Sequence, residues 1–356
     1  MAQQPAQKPA APKASKVHFA TPLAQSTRSS ILEWRLPRPH HQYVLTGRSR
    51  AAWHTSFVVP QLNLLLDAGL VVNSLRPKHV FITHGHNDHC LLSPAFVKRE
   101  DPPDVVCPAE MAGVFDAYIA ANSALNLGGA VDLGSRAPSP EDEDEDEDGE
   151  DGEDTPGSGG SAPSSVAGPG YLHTHVTHGV RHGDVVPLRR TKNISAQVFA
   201  CDHSVPSVGY VFRATTHRLR PEHASKTGPE LRALRQAGEE ITAPATTPFM
   251  AFLGDGTAAT LAAEPEWLRG GIPVVITECS FLHEEHRAQA ARTKHTLWAD
   301  LEPVVRKFPR TTFVLTHFSL RYSDRVVANF FRDMADPPAN IVIWADGEAE
   351  EGAGCR

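Results

Sequence analysis

Residues 79–89 read HVFITHGHNDH: an apolar, strand-like run that gives way to three histidines and one aspartate within the six residues His84 to His89. Imidazole and carboxylate are hard-to-borderline ligands suited to Zn²⁺, and a hydrolytic site needs several of them converging with a position left open for water. In an extended or turning loop, His84 and His86 can face one ion while Asp88 and His89 face another. An isolated His-x-His is most often a pair of surface histidines in a polar turn. This density directly behind a buried strand argues against that reading.

The same arrangement recurs downstream. His203 follows QVFACD, Asp255 follows FMAFLG and His317 follows TTFVLT, each a polar residue ending an apolar strand. One such residue alone is more often a cap or a turn, but strand ends are where α/β folds gather their sites. The residues then divide into His84, His86 and His203 for a first metal and Asp88, His89 and His317 for a second, with Asp255 bridging. Two divalent ions about 3.5–4 Å apart can share a hydroxide, lower the pKa of its parent water toward about 7, and clamp a phosphoryl or carbonyl oxygen. A second histidine cluster, His173, His175, His178 and His182, has no carboxylate among its histidines and precedes GDVVPL, a turn entering a strand. It reads as structural or solvent-exposed.

Around these motifs short apolar runs alternate with amphipathic segments, the α/β signature. Strands are expected at 56–59, 62–67, 79–83, 104–107, 197–200, 209–213, 249–254, 274–277, 312–316 and 341–345, and helices at 108–121, 229–237, 286–307 and 323–333. Residues 1–30, rich in Ala, Pro, Gln and Lys, read as a disordered tail, and residues 31–350 as one domain. That domain is interrupted at 137–170 by an acidic, then Gly/Ser/Pro-rich, disordered insertion. The insertion distorts the charge balance: the net charge is −8, yet twelve of the 42 acidic residues lie between Glu141 and Asp154, leaving 34 basic against 30 acidic residues elsewhere. The five cysteines are widely spaced and form no CxxC pair, which argues for a reducing compartment and against a thiolate zinc site. No apolar run reaches the ~18 residues of a membrane span. The expected setting is therefore intracellular, in cytoplasm or nucleus, with an organelle also open.

With these residues in view, the chain resembles the metallo-β-lactamase superfamily, and within it the short-form, plant-type tRNase Z (ribonuclease Z) family. The HxHxDH loop marks the superfamily. The narrower resemblance rests on DHSVPSVGYVF around His203, AFLGDGT around Asp255, TECSFL around Glu278, KHT around His295 and THFSLRYSD around His317. Residues 216–241 are similar to the region that carries the tRNA-gripping arm, in shortened form. The chain departs from the family where Cys90-Leu91-Leu92 stands for the usual Gly-Gly and where Gly254-Asp255-Gly256-Thr257 stands for Gly-Asp-Thr.

The resemblance implies a four-layer αββα sandwich with the metal site at the loop edge of its two sheets. It also implies two divalent ions, most simply zinc, and removal of 3′ trailers from precursor tRNA. Homodimers are common in the family. By resemblance Asp88 both binds metal and orients the attacking water, while His295, positioned by Glu278, protonates the departing ribose oxygen; a carboxylate beside an imidazole fixes its tautomer and raises its basicity. Arg321 and Tyr322 are candidates to contact a phosphate and a base; a buried, paired arginine and a core tyrosine are the equal alternative. Lys226, with Arg218, Arg220, Arg232 and Arg235, supplies positive charge to the arm, although interleaved glutamates make the same stretch look like a plain solvated helix. The alternatives are hydrolysis of a small phosphodiester or thioester by the same metals, and a non-catalytic RNA-binding relative.

Overall fold

The computed structural model describes residues 17–23, 31–72, 76–98, 100–126 and 174–348. In chain order the strands are β1 (His18–Phe19), β2 (Thr21–Pro22), β3 (Leu32–Arg35), β4 (Val44–Arg50), β5 (His54–Val59), β6 (Leu64–Leu66), β7 (His79–Phe81) and β8 (Asp104–Pro108). They continue as β9 (Val176–Val180), β10 (Val185–Pro187), β11 (Ile194–Ala200), β12 (Val208–Leu219), β13 (Thr242–Phe252), β14 (Val274–Glu278), β15 (Thr312–Thr316) and β16 (Ile341–Ile343). Among the described residues these form two eight-stranded sheets, ordered β2-β3-β4-β5-β6-β7-β8-β9 and β1-β16-β15-β14-β13-β12-β11-β10.

Strand periodicity explains how the sheets stack. Successive side chains leave a strand on opposite faces. Leu64 and Leu66, Phe81, and Val106 enter the core shared with Tyr210, Phe212, Val274 and Ile276 of the other sheet. Their alternates Leu65, Val80, Ile82, Val105 and Cys107 pack instead with Phe115 and Ile119 of the helix Ala112–Asn126. On the second sheet Val211, Val275 and Leu315 face outward against Leu301 and Val305 of Trp298–Lys307 and Val327 and Phe331 of Asp324–Arg332. Strands buried on both faces read as continuous apolar runs. The layers are helix, sheet, sheet, helix, the sandwich that the resemblance implied.

β6 to β9 run parallel, as do β13 to β16 with β1. Parallel neighbours bring their carboxyl ends to the same edge, and that edge carries Asp67, His84, Asp255, Glu278 and His317.

Several expected elements differ. The expected 286–307 helix is two helices, Arg287–Thr293 and Trp298–Lys307, because Lys294 takes a left-handed backbone (φ 53°). The connector is pinned by Phe281 N donating to the Thr296 carbonyl and Trp298 N donating to the Phe281 carbonyl. Pro108 ends a strand and does not open a helix. Within the expected tail, His18–Phe19 pairs with β16 and Thr21–Pro22 with β3, held by the buried Val17 and Ala20. The insertion at 137–170 lies outside the described residues. β12 and β13 run on as a ribbon, from Thr215 opposite Thr246 to Leu219 opposite Thr242, beyond a register shift at Phe212/Arg213. Its tip carries the helix Gly228–Gln236, opened by a Thr227/Glu230 capping box.

Candidate metal centre

After β7 the chain stays extended through His86, then turns into the four-residue helix Asn87–Cys90. Extended backbone puts His84 and His86 on one side, and the helical turn carries Asp88 and His89 to the other. The loops after β11, β13 and β15 add His203, Asp255 and His317. Two ligand-competent groups result, His84/His86/His203/Asp255 and Asp88/His89/His317/Asp255, with Asp255 common to both. Asp255 Oδ2 lies 3.3 Å from His89 Nε2, 3.3 Å from His317 Nε2 and 3.8 Å from His84 Nε2. All seven residues that the sequence nominated converge here.

The outer nitrogens of these rings are occupied. Thr83 Oγ1 gives its hydrogen to Asp67 and so accepts from His84 Nδ1 at 3.0 Å; His89 Nδ1 donates to Asp67 Oδ2 at 2.7 Å. His203 Nδ1 donates to the Lys294 carbonyl at 3.0 Å, and Ser280 Oγ, whose hydrogen goes to Glu278, accepts from His317 Nδ1 at 3.0 Å. His84 and His203 in this tautomer turn an unprotonated Nε2 inward. There His86 Nδ1 lies 3.0 Å from His84 Nε2 and 3.2 Å from His203 Nε2. With its own proton on Nε2, His86 would aim a third lone pair at the other two, and a cation among them would remove the repulsion. The spacing approaches the roughly 3.4 Å edge of a tetrahedron built on Zn–N bonds of about 2.0–2.1 Å.

Charge agrees with geometry. Burial lowers the pKa of His84, His86 and His203, leaving neutral imidazoles able to bind metal. For His89 burial opposes charge, but Asp255 and Asp67 outweigh it and hold the pKa well above its ordinary value, so this ring sits where positive charge is wanted. Asp255 is 2 % exposed and its Oδ1 has no hydrogen-bond partner among the described residues. A buried carboxylate oxygen left unpaired fits a metal ligand.

A third ligand-competent group, Asp255/Glu278/His295/His317, overlaps the first two. Glu278 is already engaged: Oε1 accepts from Gly256 N (2.8 Å) and His295 Nδ1 (2.7 Å), and Oε2 from Ser280 Oγ (2.5 Å), Ser280 N (3.3 Å) and Thr296 N (3.1 Å). Its geometry is that of a holder for His295. Burial disfavours the His295 cation, yet the Glu278 carboxylate and Asp255 prevail and push its pKa up to about 9. The helix break at Lys294 is what frees His295 to reach Glu278.

Asp67 was not nominated from the sequence, although it ends the run LLLD in the same way that Asp255 ends its strand. It is fully buried and receives His89 Nδ1, Thr83 N and Thr83 Oγ1. Asp67 (φ 54°) and His317 (φ 60°) both hold left-handed backbones, strain of about 1–3 kcal/mol each that persists where surrounding contacts impose it. Gly254 does the same with φ 63°, and a Cβ there would stand 2.6 Å from Thr83 Cβ.

The substrate-contact candidates separate. Tyr322 takes the core alternative in place of a base contact: it is 4 % exposed, packs in the core under the outer helices, and its hydroxyl meets His286 Nδ1 at 3.0 Å. Arg321 is exposed beside the Phe281 ring and hydrogen-bonds Gln289. Lys226 lies at the arm's tip and not in the metal centre; Arg220 pairs with Glu240 at 3.5 Å, while Arg218, Lys226, Arg232 and Arg235 are exposed without an ion pair among the described residues. The second histidine cluster does not converge: His175 meets Asp116, His178 meets Asp104, and His182 Nδ1 accepts from Ala200 N. His173 lies outside the described residues.

Comparison with known proteins agrees with this architecture. Residues 61–245 match the Metallo-beta-lactamase superfamily. The chain is 25 % identical over 289 residues to the chloroplastic tRNase Z TRZ2 of Arabidopsis thaliana, covering 79 % of this chain and 68 % of that protein. It is 22 % identical over 302 residues to tRNase Z TRZ1 of the same plant, covering 83 % and 92 %. The crystal structure of human tRNase Z, short form, superposes with a TM-score of 0.45 at 13 % identity, covering 84 % of this chain and 95 % of that one.

Proposed function

The chain belongs to the metallo-β-lactamase superfamily, and on that premise we propose that it is a two-metal phosphodiesterase that removes 3′ trailers from precursor tRNA. The observation that carries the proposal is the Glu278–His295 pair at 2.7 Å, with Asp255 3.9 Å from the same imidazole nitrogen. A pure binding protein has no use for a protonated imidazole beside a metal-competent cluster. An ester with a good leaving group needs none either, whereas a ribose oxygen leaves poorly without a proton.

His84, His86 and His203 would hold one divalent cation and Asp88, His89 and His317 a second, with Asp255 available to both groups. When bound, the cations supply Lewis acidity toward the phosphodiester and make water a competent nucleophile. Asp88 accepts a hydrogen bond from Ala52 N at 2.9 Å through Oδ2, which fixes the carboxylate against the edge of the first sheet. His295 delivers its Nε2 proton to the leaving oxygen, and Glu278 stabilises the imidazolium until then. The exposed Arg218, Lys226, Arg232 and Arg235, without an ion pair among the described residues, contact backbone phosphates, which raises affinity without reading sequence. Support for tRNA as the substrate comes from the two plant relatives and this ribbon.

The test is a substrate panel: zinc- or manganese-loaded protein with a 3′-extended precursor tRNA, the mature tRNA, and a chromogenic phosphodiester. A discrete cut after the discriminator base of the precursor alone is expected. Turnover of the small diester with the precursor left intact would overturn the assignment to tRNA.

A further inference from the structure

His295, the acid of the reaction proposed above, is held between two pins. Downstream, Thr296 N donates to Glu278 Oε2 at 3.1 Å and Thr296 Oγ1 donates to the Gly256 carbonyl at 2.8 Å. Upstream stands Lys294, whose Nζ donates to Asp202 Oδ1 at 2.9 Å. Asp202 is itself fixed, its Oδ2 accepting from Thr257 Oγ1 at 2.9 Å and its carbonyl from Thr257 N at 3.0 Å. Both pins therefore lead to the two residues that follow Asp255. Resting on the tRNA-processing reading above, we infer that Lys294 and Asp202 are positioning residues: their ion pair sets where the His295 ring stands relative to Asp255, and so aims the leaving-group proton.

The backbone of Lys294 carries the inference. It is left-handed (φ 53°, ψ 51°) and ends the helix Arg287–Thr293, its N–H capping the Ala290 carbonyl. Such a cap favours glycine, because a Cβ crowds the carbonyl in this conformation. The ion pair does not offset that cost: both side chains are about half exposed, and exposed pairs add little to stability. Capping alone therefore does not account for a lysine here. What the lysine has and glycine lacks is the reach to Asp202, on another loop of the site.

The same residue joins the acid to a metal ligand. Asp202 directly precedes His203, and His203 Nδ1 donates to the Lys294 carbonyl at 3.0 Å. Residues 202 and 203 thus grip Lys294 by its side chain and by its backbone, and the His203 and His295 rings stand 5.2 Å apart. Without the ammonium, the chain before His295 keeps its helix-end bonds to Ala290 and the contact with His203. None of these refers it to the loop of Asp255. A reacting group misplaced by about 1 Å can lose about 10²-fold in rate.

The test uses the zinc-loaded full-length protein. Lys294→Met keeps the length and loses the charge; it should lower kcat on the 3′-extended precursor about tenfold, with KM changed less than about twofold. Turnover of a p-nitrophenyl phosphodiester, whose leaving group needs no proton, should change less than about twofold. Lys294→Arg, which reaches the same carboxylate, should restore activity on the precursor. Lys294→Gly should unfold at a temperature equal to or above that of wild type and still lose the activity, a combination that a cap alone does not produce. In the His295→Ala background Lys294→Met should have no further effect. A second readout needs no turnover: the downfield proton NMR signal of the His295 Nδ1–H bonded to Glu278, identified by its loss in His295→Ala, should shift or broaden in Lys294→Met and return in Lys294→Arg. Unchanged kcat in Lys294→Met and Lys294→Gly, or a loss that persists without His295, overturns the positioning role and leaves the tRNA reading standing. No precursor cleavage by wild type overturns that reading; the ion pair's role then stands if the ring signal depends on Lys294 and falls if it does not.

Discussion

Replacing Glu278 with Gln separates leaving-group protonation from metal binding. The substitution removes the charge 2.7 Å from His295 Nδ1 that offsets burial and keeps this imidazole protonated up to about pH 9. With the pKa returned toward 6.5, the protonated fraction at pH 7.5 falls from about 97 % to about 9 %. That alone lowers kcat on RNA about tenfold. Misplacement of the ring adds to it, within the roughly 10²–10⁴ that a general acid contributes. The alkaline limb of the kcat–pH profile should move from near pH 9 toward pH 6.5, and the deficit should shrink at pH 6. Against a p-nitrophenyl phosphodiester, whose leaving group needs no proton, the loss should stay within about threefold. Equal losses on both substrates, with bound metal reduced, would mean that Glu278 supports the metal centre through its five donors and not the proton transfer.

The remaining expectations follow the same geometry. Asp67→Asn keeps the shape but weakens the partner of His89, and should lower metal affinity about 10–100-fold in a chelator competition assay. Arg218, Arg232 and Arg235 changed together to Gln should weaken precursor binding uniformly across sequences, and flatten the plot of log affinity against log salt by up to about 2–3 units of slope. His79 is buried, and burial pulls its pKa down to about 4. Below pH 6.5 the unfolded chain binds the proton first, so stability falls as pH drops toward 4 and the loss is about 2 kcal/mol at pH 5. Urea unfolding at pH 7 and pH 5 should find that loss smaller by a similar amount in His79→Gln.

How much was legible in the sequence depends on what each residue must do. A strand sandwiched between two layers writes itself as an apolar run, and a ligand at its end breaks the run with a polar residue, so β7, β11, β13 and β15 disclosed His84, His203, Asp255 and His317. Asp67 obeys the same rule but stands alone in its segment, without a neighbouring histidine to draw notice. β3, β4 and β9, nearer the sheet margins, carry mixed patterns such as LEWR and VTHGV, which local periodicity does not separate from loop. The helix break at Lys294 was illegible because RTKHTLW contains neither glycine nor proline; tertiary bonds from Phe281 impose it. Tyr322 was ambiguous for the opposite reason. Its position five residues after His317 allowed either the substrate side or the core, and the backbone carries the ring inward against His286.

The central claim is that one carboxylate, Asp255, joins two metal positions. Elemental analysis of the purified protein after loading and desalting tests it directly. Wild type should retain two equivalents of divalent metal per chain, and Asp255→Ala, losing a ligand from both groups at once, should retain fewer than one with the fold intact by circular dichroism. Two equivalents held by Asp255→Ala, or none by wild type at neutral pH, would contradict the account.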